Sequence, residues 1–299
     1  MARNTKIMLF VLAVVALAMA LGAHPAWADK LSDAIAAAPQ GAGSGQIDPA
    51  KPAGFLGIAG APQVNLILAF VWAVWVGWIF STVGAFGGVM AGVGHMSVFG
   101  LGAYAKTFKT TAPTLNKMVT DSIRGSNQYL VGLSALISSF NYYRMGRLVL
   151  PLAIALGLGS ILGAWGSVTL TAGKLSFSAY QGYFGLFVLL LGCYLFWETS
   201  PSGQASKKKA KEAAKAFEAT VAKQKAGEKV DVAALGVKVL KFTPTSCIFT
   251  FYGVEFTFNP LIPLVGGVVI AAIAAFLGVG GGFLLVPFLT SVAQLPMYL

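Results

Sequence analysis

Long apolar stretches alternate with short polar ones along this chain. Asn65 to Thr82, Val83 to Tyr104, Tyr129 to Tyr143, Leu148 to Leu170, Tyr180 to Trp197 and Leu261 to Leu289 are nearly free of charge. A helix crossing a bilayer core needs about 20 mostly apolar residues, so these runs predict transmembrane helices. The strict alternation of a membrane β-strand is missing from them. In the first run Trp72, Trp75 and Trp78 recur every third residue, which puts them on one helical face and predicts that this face packs. Val83 to Tyr104 holds Gly84, Gly87, Gly88, Gly92, Gly94, Gly100 and Gly102, too many for a regular helix, and is predicted to be broken or very tightly packed.

The polar stretches set the organisation. Arg3 and Lys6 precede the apolar run Ile7 to Leu21, and Ala26-Trp27-Ala28 has the form of a signal-peptidase site; 1–28 reads as a signal peptide, with an uncleaved first helix as the alternative. Residues 29–63 lack helical periodicity and read as a periplasmic linker. A first transmembrane repeat follows over 64–197. Arg144 and Arg147 mark a cytoplasmic turn within it. Over 198–258 the chain is basic, with Lys207, Lys208, Lys209, Lys211, Lys215, Lys223, Lys225, Lys229, Lys238 and Lys241; this predicts a cytoplasmic loop, helical over Ala210 to Ala226, that attracts anionic lipid. Phe242 to Phe258 reads as a hairpin turning at Tyr252-Gly253. Residues 259–299 open a second repeat. One conflict stands: counted back from the lysine loop, Ala105 to Arg124 falls outside despite Lys106, Lys109 and Lys117, unless Val83 to Tyr104 does not cross fully.

Composition agrees with the pattern. Of 299 residues 57% are hydrophobic and 10% charged, with mean hydropathy +0.75, which leaves too little polar surface for a water-soluble core. The fold class is therefore all-α polytopic membrane protein. The net charge of +11 comes largely from the lysine loop, so no nucleic-acid partner is expected. Cys193 and Cys247 fit neither a disulfide framework nor a metal motif, and no metal or cofactor is expected. An enzyme is not expected, since no HExxH, Ser/His/Asp set or paired intramembrane carboxylates occur.

At a constant offset Ala85, Phe86, Gly88, Val89 and Gly92 coincide with Ala275, Phe276, Gly278, Val279 and Gly282, which suggests an internal duplication with glycine-broken helices at matching places. The second repeat lacks later spans and reads as incomplete, in a truncated chain. Gly278-Val279-Gly280-Gly281-Gly282-Phe283-Leu284-Leu285-Val286-Pro287-Phe288-Leu289 resembles the GxGGGxLxVPxL signature of the TauE/SafE sulfite exporter family. Gly84 to Leu101 looks like a degenerate copy, and Asn127, Ser134 and Tyr143 to Leu148 resemble the stretch that follows it. The resemblance implies an inner-membrane permease of two repeats carrying sulfite, sulfonates or related anions, by secondary rather than ATP-driven transport.

Candidate substrate-binding positions follow from these breaks. Backbone that leaves helical geometry frees N–H groups, and a helix N-terminus attracts an anion. Gly88, Gly92, Gly94, Gly278, Gly280, Gly281, Gly282 and Pro287 are candidates on this ground, with close helix packing as the competing role of the glycines. His95 is a candidate for proton coupling or a hydrogen-bonded helix end. Asn127 and Asn141 could donate to an anion or bridge helices, and Arg124 and Arg144 could steer anions at the two mouths or merely mark topology. The expected partners are a small anion and membrane lipid, with a homo-oligomer left open. A membrane scaffold or sensor acting through the lysine loop is the alternative function, and a channel a third.

Overall fold

The structure is a computed structural model that describes residues 25–82, 86–200, 215, 218, 219, 236–293 and 295. Ile7 to Leu21, Gly84 and most of the lysine-rich stretch, including the expected helix Ala210 to Ala226, lie outside the described residues.

Helix α1 (Pro25–Ala36) opens a small cap. Leu31, Ala34, Ala38, Ile47, Ile58 and Ala61 are buried against Ala105, Phe108, Ala112, Leu115 and Met118. Residues 29–63 were expected to be a linker; the segment instead folds as an ordered layer, because its scattered apolar residues converge without needing helical periodicity. Ala28, the expected cleavage point, falls within α1.

Helix α2 (Leu66–Thr82) leaves this cap with its first N–H groups capped by Asn65, whose Oδ1 accepts from Ile67 and Leu68 at 2.9 and 3.2 Å. Its buried residues are Val76 and Ile79, while Trp75 and Trp78 are exposed. Trp72 packs on Gly94 while Trp75 and Trp78 face outward, so the tryptophan face packs only in part; on a helix apolar all round, spacing alone does not choose the buried side. Beyond Phe86 the expected span resolves into α3 (Gly87–Val93), a π-helical turn Gly94–Val98, and α4 (Leu101–Thr107) entered through Gly100 at φ +70°. Because Ala105 and Phe108 belong to the cap's core, α2 leaves the cap and α3–α4 return to it. The glycine-rich stretch turns back rather than crossing.

Helix α5 (Pro113–Arg144) has 32 residues and is about 48 Å long, more than a bilayer core. It absorbs both the span expected at Tyr129 and Pro113 to Arg124, the larger part of the Ala105 to Arg124 region expected to be a loop. Asn116, Thr120, Arg124 and Asn127 are buried along it together with Leu115, Met118, Val119 and Ile123. Helices α6 (Leu150–Thr171) and α7 (Phe177–Thr199) follow, with large apolar residues such as Leu158, Ile161, Trp165, Leu189 and Phe196 exposed.

At the other end of α5 lies a three-stranded antiparallel sheet: β1 (Lys238–Phe242), β2 (Cys247–Phe251) and β3 (Val254–Phe258), in that order. The expected hairpin is present, turning on Tyr252 at φ 49° and Gly253 at φ 78°, the pair of positive φ values that a two-residue hairpin turn requires. The end of the lysine stretch adds β1 as a third strand. Cys247, Phe249, Phe251, Phe256 and Phe258 pack with Val149, Leu152 and Leu295, and the Val237 N–H donates to Gly146 O at 2.8 Å.

From this sheet α8 (Leu261–Leu277) runs back along α6. Gly159 and Gly163 make the approach possible: a Cβ on either would stand 2.0 Å from the carbonyl of Leu264 or Val268, the contact that small residues four apart allow. After a short break come α9 (Gly282–Pro287) and a second π-helical turn, Phe288–Val292. Leu295 then re-enters the sheet's core. Two broken hairpins therefore enter from opposite ends of α5. Leu66 and Gly87, where the first hairpin's helices start, precede their counterparts Leu261 and Gly282 by 195 residues each. The shorter offset suggested by sequence identities aligns Gly278, a helix terminus, with Gly88, a helix interior.

Candidate functional site

The break of the second hairpin meets α3 of the first against the middle of α5. Gly278 ends α8 at φ +67° and Gly280 follows at φ +79°, conformations that glycine adopts without steric cost. Space excludes other residues as well. A Cβ on Gly278 would lie 2.8 Å from Arg124 Cα, and one on Gly280 would lie 2.2 Å from a Val131 methyl. Gly281 has φ −90° and a nearest neighbour at 3.2 Å, so its backbone does not demand glycine.

Side chains occupy the carbonyls at the end of α8. Gln128 Nε2 donates to Ala274 O at 2.8 Å, Arg124 Nη2 to Ala275 O at 3.0 Å, the Tyr180 hydroxyl to Leu277 O at 3.0 Å, and Asn127 Nδ2 to Gly278 O. Among the described residues no acceptor meets the N–H groups of Gly280, Gly281, Gly282 or Phe283, whereas those of Leu284 and Leu285 return to Gly281 O. Among the described residues the carbonyls of Ala274, Ala275, Leu277 and Gly278 are thus engaged while four successive N–H groups meet no acceptor, a polarity suited to an anion.

Gly88 brings the first hairpin in. It is buried in α3, where a Cβ would stand 2.0 Å from Val279 O, and its carbonyl accepts from Asn127 Nδ2 at 2.9 Å. Gly92 packs on Asn127 and Phe184, and Gly94 on the Trp72 indole. Gly88, Gly92, Asn127, Gly278 and Gly280 therefore cluster. His95 stands apart as a half-buried residue whose Nδ1 donates to Ala91 O at 2.9 Å and whose ring meets Phe99 edge-on. Pro287 lies inside α9, and Gly282 is exposed at its start. Asn141 is exposed, and Arg144 lies over the Phe140 ring.

Arg124 differs most from its expected place. It is not at a mouth but 6% exposed in the interior, with Nη1 on Asp121 at 2.9 Å and Nη2 on Thr171 at 3.1 Å as well as on Ala275. Asp121 also accepts from the Gly173 N–H at 2.7 Å. It forms part of the wall of a cleft of about 620 Å³ between α1 and α5, shared with Lys30, Asp33, Thr111 and Thr114. One ion pair thus separates that cleft from the break.

Two polar atoms of this cluster have no hydrogen-bond partner among the described residues: Arg124 Nε and Asn127 Oδ1. Each such buried group costs about 1–3 kcal/mol. The Asn127 amide cannot flip to relieve this, since its nitrogen already serves two carbonyls. Sequence reasoning missed Asp121, Gln128, Thr171 and Tyr180, and set Arg124 at a mouth. A signal existed for the α5 residues: Asn116, Thr120, Arg124 and Asn127 recur at helical spacing, a polar stripe hidden by reading the region as a loop.

The sequence model of the sulfite exporter TauE/SafE family matches residues 68–299, most of the chain. This chain belongs to the TauE/SafE family. No curated protein and no solved structure matches it. TauE/SafE proteins are integral membrane transporters and not enzymes, which accounts for the exposed apolar flanks of α6 and α7: they face lipid. The stretch matched to TauE/SafE contains both breaks and the whole of α5.

Proposed function

We propose that this TauE/SafE protein is a secondary transporter of a small sulfur-containing oxyanion such as sulfite or a sulfonate, bound where the second break meets α3. The observation that carries this reading is the polarity of the second break: the carbonyls of Ala275, Leu277 and Gly278 accept side-chain hydrogen bonds, while among the described residues the N–H groups of Gly280 to Phe283 meet no acceptor. The family's description as a sulfite exporter points to the same chemistry.

The hairpins form an inverted repeat. Such pairs place a substrate at their shared seam, and alternating access follows when one hairpin rocks against the other. Here Gly88 against Val279 is that seam, and Asn127 holds both sides of it. The cap end faces the periplasm and the sheet end, with the lysine-rich stretch, faces the cytoplasm of an inner membrane; Arg144, Arg147, Lys238 and Lys241 support this orientation. Lys106, Lys109 and Lys117 at the cap end remain exceptions to the rule.

Counterflow tests the proposal. Proteoliposomes containing the full chain and loaded with unlabelled sulfite should accumulate labelled sulfite transiently, with saturation, and excess sulfite should compete while chloride should not. Flux that rises linearly with concentration, or none above empty liposomes, would reject it.

A further inference from the structure

We propose that Arg124 and Asn127 supply the side-chain half of this anion site, a donor beside an acceptor that favours a singly protonated oxyanion over one with no proton. The inference rests on the transport reading above and deepens it.

The two residues lie three apart on α5, so their side chains are neighbours on one face. Both also hold Gly278: the Arg124 stem lies against it, and the Asn127 amide nitrogen donates to its carbonyl. Arg124 is 6% exposed and Asn127 1%. Each keeps one polar atom idle while its others are engaged. Arg124 has Nη1 on Asp121 and Nη2 on Thr171 and Ala275, leaving Nε–H; Asn127 has Nδ2 on Gly88 and Gly278, leaving Oδ1.

These engagements fix the orientation of both groups, so the leftover atoms are set in advance. A donor on a cation takes an ionised oxygen. An amide oxygen takes only a hydrogen-bond donor, which a fully ionised oxyanion lacks. Hydrogensulfite offers both, one ionised oxygen for Arg124 and one O–H for Asn127. A sulfonate would leave the Asn127 oxygen unsatisfied, and an acceptor facing an ionised oxygen is repelled. Free N–H groups at Gly280 to Phe283 would take the remaining oxygens.

Roles confined to holding helices together predict no such preference. Methylphosphonate carrying one proton and methanesulfonate have the same charge and nearly the same shape, and differ in one O–H. Each is used to inhibit sulfite counterflow by the full chain at one fixed pH, so that the protonation of Asp121, which pairs with Arg124, of Tyr180 on α7 and of His95 beyond α3 is common to both. The expected result is that methylphosphonate inhibits on the order of tenfold or more better than methanesulfonate, the factor attached to one hydrogen bond that involves a charged species. Asn127→Ser should shrink that ratio toward one, while Arg124→Lys should raise the sulfite KM about tenfold or more and leave the ratio intact. Equal inhibition of the unaltered protein overturns the proposal without any variant, and so does an Asn127→Ser protein that transports with its ratio unchanged. Absence of sulfite counterflow from the unaltered chain would instead reject the transport reading itself.

Discussion

Asn127 donates from a single amide nitrogen to the carbonyls of Gly88 and Gly278, residues of two different broken hairpins. One side chain in the middle of α5 thus fastens two halves that enter from opposite ends. Replacing it with leucine would leave both carbonyls buried without a donor, at a cost on the order of 2–4 kcal/mol. Asn127→Leu in detergent should therefore unfold at a clearly lower temperature than the unaltered protein, and an unchanged Tm would show that the hairpins are held by packing alone.

The contact of α6 with α8 makes a sharper structural prediction. Gly163→Val places a branched side chain where a single Cβ would already stand 2.0 Å from Val268 O, so the two helices must separate. Gly166, one turn further along α6, has open space beside it. Gly166→Ala should be neutral or stabilise by up to about 1 kcal/mol through helix propensity. Thermal unfolding of the pair should place the two variants on opposite sides of the parent, or the valine variant alone below it.

How much of this was legible in the sequence varies by element. Apolar runs gave α2, α6, α7 and α8 within a few residues, since lipid-facing helices must be apolar over a fixed length. Tyr252-Gly253 marked the hairpin turn because few residue pairs accept two positive φ values. Gly278 and Gly280 were recognisable as a break for the same reason. Hidden from view were the partners of that break. Arg124 and Asp121 look like loop residues when read one at a time, and only the pairing of α5 with α8, set by contacts about 150 residues apart in sequence, turns them inward. The direction of each hairpin was equally hidden: a stretch with seven glycines, Val83 to Tyr104, is compatible with crossing or returning until the cap shows where α4 ends.

Cys247 reports on the sheet. It is fully buried in β2, outside the helical layer, and burial pushes its thiol above its ordinary pKa because a thiolate there would lose its solvation. Burial thus favours the neutral thiol in the folded sheet relative to the unfolded one. This contribution is present below the ordinary thiol range and is lost as pH rises through it, so the sheet should weaken with rising pH. A membrane-permeant maleimide at neutral pH should leave Cys247 unmodified until the protein is denatured. Rapid modification of the folded protein, read by mass spectrometry of the peptide, would contradict the packing of this strand.

The lysine-rich stretch separates a transporter from a scaffold. Because Lys238 to Phe242 form β1, a deletion that tests the stretch must spare them. Replacing residues 203–233 with a short Gly/Ser linker should leave sulfite counterflow within about twofold of the parent, the site lying elsewhere; the factor is an order-of-magnitude expectation for surface changes of roughly 0.5 kcal/mol. Loss of flux with the fold intact would assign that stretch a direct part in transport.

The central claim, that free backbone N–H groups at the second break hold the transported anion, is tested most directly at Gly281, whose φ of −90° lets another residue sit there without backbone strain. Sulfite counterflow should be measured with Gly281→Leu and unaltered full-length protein reconstituted side by side, their Tm values having been compared in detergent. The account predicts a folded variant in which the leucine covers the neighbouring N–H groups and counterflow falls about tenfold or more, the loss expected when one charge-assisted hydrogen bond is blocked. Unchanged rate and affinity in the variant would contradict it.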